Sequence, residues 1–210
     1  MTPMPNEELQ QLRAQIAALA ARLVAQDGAD YGVAKRKAAS LVLGDQQPPA
    51  NLLPDNTEIE EEVRRYQALF LGDSQPARLL RLRTVALQVM DALAEFKPFL
   101  TGPVLTGTAG EHDDIHLQLF ADSAKEVQIF LLDKNIDIEI SETPHFKGAR
   151  FEPVETVSFM WHKEGVHAEL YDLNDLRGAL KPRADGRMQR ADTAGLRLLM
   201  AEAQERDKQT

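Results

Sequence analysis

The apolar residues change period part-way along the chain, and that change limits what it can fold into. Between residues 9 and 96 they recur every three or four positions. From residue 114 to 171 they alternate, except across a helical stretch near 123–134. The first spacing lines one face of a helix, the second one face of a strand. Helices come first and strands follow. The pattern predicts an α+β fold, a mixed sheet with flanking helices behind an N-terminal helical arm.

The arm is expected over residues 1–72. Leu9, Leu12, Ile16, Leu19 and Leu23 form a heptad stripe on a helix that Gly28 ends. So few heptads fit packing on the chain's own next helix. They also fit a homodimer or protein-partner contact. A second helix over Tyr31–Leu43 carries Lys35, Arg36 and Lys37. Consecutive helix residues fan out by about 100°, so these bases read as a solvated face. Pro48, Pro49 and Pro54 mark an extended linker. Thr57 with Glu60 has the spacing of a capping box opening a third helix, which Gly72 closes.

The α+β core is expected over residues 73–180. Leu79, Leu82, Val85, Ala86, Val89, Met90, Leu93 and Phe96 give residues 76–96 a broad apolar face, that of a helix buried under a sheet. Strands are expected at 99–107 and 114–121. A helix follows from Ser123 to Lys134, then a strand through Ile136, Ile138 and Ile140. Residues 154–173 read as a hairpin turning at His162-Lys163-Glu164-Gly165. A basic loop over 181–190 and a helix capped by Asp192 or Thr193 make up the segment 181–210.

Composition removes several function classes. The chain has 210 residues, 43% hydrophobic and 27% charged, with a net charge of −9. That is a globular composition with no basic field for non-specific nucleic-acid binding. Without cysteine there are no disulfides, thiol nucleophiles or cysteine zinc sites. No apolar run reaches the ~20 residues of a membrane span. The first residues lack the basic and apolar regions of a secretory signal, so the expected compartment is the cytoplasm.

The chemistry-bearing stretch is residues 99–120. Gly102, four residues, then Gly107-Thr108 imitate a Walker loop, but the lysine that meets the β/γ phosphates is missing. A P-loop ATPase or ligase is excluded. Further on, Asp114-Ile115-His116-Leu117 places two polar groups at i and i+2 of a strand. That spacing aims both at one side, as a metal clamp requires. The five histidines make no helical zinc pair, and the serines sit in no nucleophile elbow. Trp161 and Phe159, two apart on a strand, read as core.

Leu-Thr-Gly-Pro-Val-Leu-Thr-Gly-Thr followed by Asp114-Ile115-His116-Leu117 resembles the signature of the nucleotidyltransferase superfamily with the DNA polymerase β-like fold. That signature is an apolar strand, Gly-Ser or Gly-Gly, a loop, then Asp-x-Asp. The resemblance covers residues 76–175. It extends to short bacterial proteins with this core behind a helical region, some of them labelled UDP-N-acetylmuramate–alanine ligase. This chain lacks a ligase's Gly-Lys-Thr/Ser loop.

The resemblance implies transfer of a nucleotidyl group from an NTP with a divalent metal, Mg or Mn. Asp114, His116 and Glu169 would be the catalytic and metal-holding residues, with Asp137 and Glu139 as rival third acids. Gly107 and Thr108 would cradle phosphate; the competing register puts Gly102-Pro103 in that place. His116 stands where the family has its second aspartate. The alternative is therefore a catalytically inactive module that acts in binding or regulation through its helical arm.

Overall fold

A computed structural model describes residues 6–44, 48–179 and 189–207. The chain divides into two compact units, Met1–Ala77 with Gly110–His112, and Arg78–Ala109 with Asp113–Thr210. Eight of the ten positions of the expected basic loop, 181–188, lie outside the described residues.

The first unit is built on α1 (Asn6–Asp27), α2 (Tyr31–Leu43) and α3 (Asn56–Phe70). The heptad stripe of α1 has its partners inside the chain. Ile16, Ala20, Ala21 and Val24 are buried in one cluster with Ala34, Ala38, Ile59 and Val63. Alanines on α1 and α2 keep that cluster compact. Arg13 of α1 grips Glu58 of α3 with two bonds, Nε to Oε1 at 2.7 Å and Nη2 to Oε2 at 2.5 Å. The capping box of α3 is Asp55 with Glu58, two residues before the expected Thr57 and Glu60. Both pairs have the right spacing; the asparagine between them enters the helix as its first residue.

The second unit is α+β. Its elements are α4 (Gln75–Ala92), which starts at the end of the first unit, β1 (Phe99–Thr101), α5 (Gly102–Thr106), β2 (Ile115–Ala121), α6 (Ala124–Asp133), β3 (Glu139–Thr143), β4 (Val154–Trp161), β5 (Glu164–Asp172), α7 (Leu176–Ala179) and α8 (Thr193–Asp207). The sheet order is β1-β2-β5-β4-β3. Only β2 and β5 run parallel; the other neighbours are antiparallel.

Alternation sorts the sheet's side chains onto two faces. On one face Ile115, Leu117, Leu119, Val157, Phe159, Val166, Ala168 and Leu170 join Leu82, Val85, Ala86, Val89 and Met90 of α4 in a single core. The expectation of a helix under a sheet is met there. The opposite face carries polar residues at one end and a buried aromatic cluster of Phe120 and Tyr171, with Phe99 against it, at the other. In register across five strands it presents Thr101, His116, His167, Ser158 and Glu139. The next row presents Phe99, Gln118, Glu169, Thr156 and Ser141.

Three expected elements are corrected. The strand expected at 99–107 ends at Thr101. Gly102 takes a positive φ of 68°, and Pro103, with its φ preset, opens the one-turn helix α5. The hairpin turn is His162-Lys163 alone, because Glu164 and Gly165 already pair with Trp161 and Met160. The strand expected from Ile136 begins at Glu139. Ile136 and Ile138 instead pack against the core from the segment before it. Among the described residues no helix is long and apolar enough to cross a membrane.

Candidate functional site

The polar row centres on two imidazoles. Parallel pairing sets His116 of β2 beside His167 of β5, and the rings stack with centroids 5.1 Å apart. Asp114 lies in the turn just before β2. Its Oδ2 accepts a hydrogen bond from Nε2 of His167 at 3.0 Å. On the far side of the ring, Nδ1 of His167 lies 2.8 Å from Oγ of Ser158 on β4. A continuous Ser158–His167–Asp114 relay results. The His116 imidazole is held below its ordinary pKa of 6.5, first by desolvation and then by the neighbouring His167 ring. Asp113, Asp114 and Glu169 act in the opposite sense without cancelling this.

The backbone makes room for the cluster at two glycines. Gly102 packs against the His116 ring, where an added Cβ would stand 3.6 Å from it. Gly165 lies beneath the Asp114 carboxylate. The hairpin bearing Gly165 is anchored next door. Glu164 is buried and accepts from Nη1 of Arg78 at 2.7 Å and Nε of Arg81 at 2.5 Å. Arg78 also donates to the Asp113 carbonyl, so one side chain ties the hairpin to the turn that carries Asp114.

Asp114 and His116, expected together, do lie side by side. Glu169 sits off their row, yet of the nearby acids it acts most strongly on the His116 ring. The register sets it opposite Gln118, one row further in, or about 7 Å along the strand. There it accepts from Nε2 of Gln118 at 2.8 Å and from the Tyr171 hydroxyl at 2.7 Å. Arg190 donates to the other end of Gln118, and its guanidinium lies 4.4 Å from the Phe146 ring centroid. This chain fixes Glu169 and pushes the Tyr171 pKa upward, through desolvation first and the carboxylate second. Of the rival acids, Glu139 shares the row but lies beyond Ser158, three strands from His116. Asp137 precedes its strand.

Gly107 and Thr108, expected to cradle phosphate, lie at the C-terminal end of α5. Gly107 is the left-handed C-cap of α5, with φ 86°. The N–H groups of Gly107, Thr108 and Ala109 all turn back to the Pro103 carbonyl. Thr108 is buried, its hydroxyl 2.9 Å from that of Thr106. Buried Arg83 donates to the Val104 and Leu105 carbonyls at the same end. The N–H groups that a phosphate would use there are engaged within the turn, and the carbonyls of that end are met by Arg83. Gly102-Pro103, the competing register, follows β1 directly and adjoins His116. Pro103 lacks the N–H that the motif's second residue contributes.

The residues present do not fit an Mg²⁺ clamp. That ion takes oxygen ligands in near-octahedral order, and the two side chains beside Asp114, His116 and His167, are imidazoles. Among the described residues no group of three acids and histidines stands arranged to hold a metal ion.

The sequence reading missed His167 and Ser158. The alternation in Val166-His167-Ala168-Glu169 marked the correct face but left the partner strand's register open. No family model matches the chain, and no curated protein matches it.

Proposed function

We propose that the chain is a nucleotidyltransferase-like module that keeps a polar row of side chains on one sheet face and acts by binding instead of metal-borne nucleotidyl transfer. One observation carries this reading. The clamp's first acid, Asp114, is engaged by His167, while Glu169 is held in the next row by Gln118 and Tyr171. Nucleotidyl transfer needs carboxylates grouped around divalent ions to offset the charge of a leaving pyrophosphate. Here Asp114 and Glu169 are each already engaged by protein donors, and imidazoles stand between them, which leaves little of that charge for a metal.

The ligand class that accords with this fold is a nucleotide, received beside Gly102 and His116. Neutral imidazole and hydroxyl groups favour hydrogen bonding there over ion pairing. The test is calorimetry with each NTP and Mn²⁺, run beside an assay of pyrophosphate release. The expected result is nucleotide binding that His116→Ala weakens, with no pyrophosphate released. Pyrophosphate release by the wild type that is lost in Asp114→Ala would overturn the reading and restore the transferase.

A further inference from the structure

Ser158 carries chemistry that a nucleotide-binding role does not use. Its hydroxyl meets Nδ1 of His167, and Nε2 of the same ring meets the Asp114 carboxylate. The two contacts suit one tautomer of the neutral ring. An ionised carboxylate only accepts, so Nε2 holds the proton. The neutral ring then has a bare Nδ1, and the Ser158 hydroxyl donates to it. Nucleophile, base and orienting acid stand in the order that activates a hydroxyl, with the two ring nitrogens exchanged relative to the usual triad.

The arrangement is built by the fold. Strand register pairs Ser158 with His167, and the missing side chain at Gly165 admits Asp114. It is also reachable. Ser158 is half-buried, and the side chains of His167 and Asp114 are 36% and 45% exposed.

We propose that Ser158 is a covalent acyl acceptor, taking an acyl group from an activated ester. Oγ attacks the carbonyl carbon, forming the Oγ–C bond, while its proton passes to Nδ1 of His167. The bond between that carbon and the leaving oxygen then breaks, and the leaving oxygen takes the proton from Nδ1. The products are an acyl-Ser158 ester, a free alcohol and a neutral His167.

The same geometry limits the reaction to about one turn. General-base assistance gives roughly 10²–10⁴-fold. A hydrolase also needs donors aimed at the oxyanion, each contributing about 10²–10³-fold. Ser158 lies inside β4, paired on both sides, to β3 and β5, so the backbone N–H groups around it are committed to the ladders. Glu139 stands next to it in the row and opposes a second negative charge. Acylation is therefore assisted, and deacylation is left slow.

The test treats the full chain with p-nitrophenyl acetate. It follows p-nitrophenolate release and locates the acetyl group by peptide mass mapping. A burst approaching one equivalent, with acetyl on Ser158, is expected. Ser158→Ala abolishes the burst, and His167→Gln slows it about a hundred-fold. A second measurement on the wild type needs no variant: ¹⁵N spectra of the His167 ring show Nε2 protonated and Nδ1 bare. Asp114→Ala, which removes a positioning residue, abolishes that tautomer preference. Acetyl confined to lysines, equal Ser158 acetylation in wild type and His167→Gln, or a ring protonated at Nδ1 would each overturn the proposal. Pyrophosphate release tests the binding reading separately, so either can fail alone.

Discussion

The Asp114 carboxylate fills the space where residue 165 has no side chain. A Cβ on Gly165 would stand 2.5 Å from Oδ1 and 2.6 Å from Cγ of Asp114. The backbone at Gly165 is ordinary strand, so glycine is needed there for space and not for an unusual φ. Gly165→Ala is expected to drive the carboxylate off His167. The cost is about 1–3 kcal/mol of overpacking, read as a lower denaturant midpoint. Loss of the Nε2-protonated ring in ¹⁵N spectra is the accompanying sign.

His116 gives the fold an acid sensitivity whose sign follows from its lowered pKa. Its folded-state value lies below the ordinary 6.5, so the unfolded chain binds the proton first. Stability then declines as pH falls from about 6.5 toward the folded-state value. The His116 ring resonances are expected to titrate with a midpoint below 6.5. Glutamine at 116 flattens the melting temperature against pH over that window. A midpoint above 6.5 contradicts the assignment.

Glu164 behaves as a carboxylate held down by arginine. Burial works to raise its pKa, but the hydrogen bonds from Arg81 and Arg78 prevail, leaving it below the ordinary 4.5. Its stabilising contribution is present above that value and lost as pH falls through the folded-state pKa. Glu164→Gln is expected to cost about 1–3 kcal/mol at neutral pH and to shrink the acid-side loss. Urea midpoints at pH 7 and pH 3.5 measure both effects.

The hairpin tip is held in an uncommon conformation. His162 and Lys163 adopt positive φ values of 49° and 70°, the left-handed pair of a two-residue hairpin turn. Asn-Gly is the favoured pair for such a turn, and a left-handed residue other than glycine costs roughly 1 kcal/mol. The double substitution His162→Asn with Lys163→Gly is expected to raise stability by about 1–2 kcal/mol. Thermal unfolding reports it.

Periodicity was enough to read the helices, the hairpin and the buried face. Each residue from Ile115 to Leu119 falls on the side that alternation assigns it, with Ile115, Leu117 and Leu119 in the core against α4. The region around α5 was not legible. Thr-Gly-Pro-Val-Leu-Thr-Gly has apolar residues suited to a strand, and only the positive φ at Gly102 and the proline after it make a helical turn. That one turn carries Gly107 and Thr108 to the C-terminal end of a helix. The identity of the site was half legible. Asp114 and His116 are local to each other, so spacing found them. His167 and Ser158 reach them only through pairings that span 51 and 9 residues of sequence, and no spacing rule fixes the first of those registers.

The side-by-side placement of His116 and His167 makes the distance to a three-acid site very short in mutational terms. Aspartates at both positions would flank Asp114 without moving any strand, since register and glycine clearances are already in place. Such a chain is expected to be less stable on its own, because three carboxylates at close quarters repel one another. Divalent cations would restore what the repulsion took away, visible as a melting temperature that climbs with added Mn²⁺. Two substitutions therefore separate a sheet that holds a proton between serine and aspartate from one that calls for a metal.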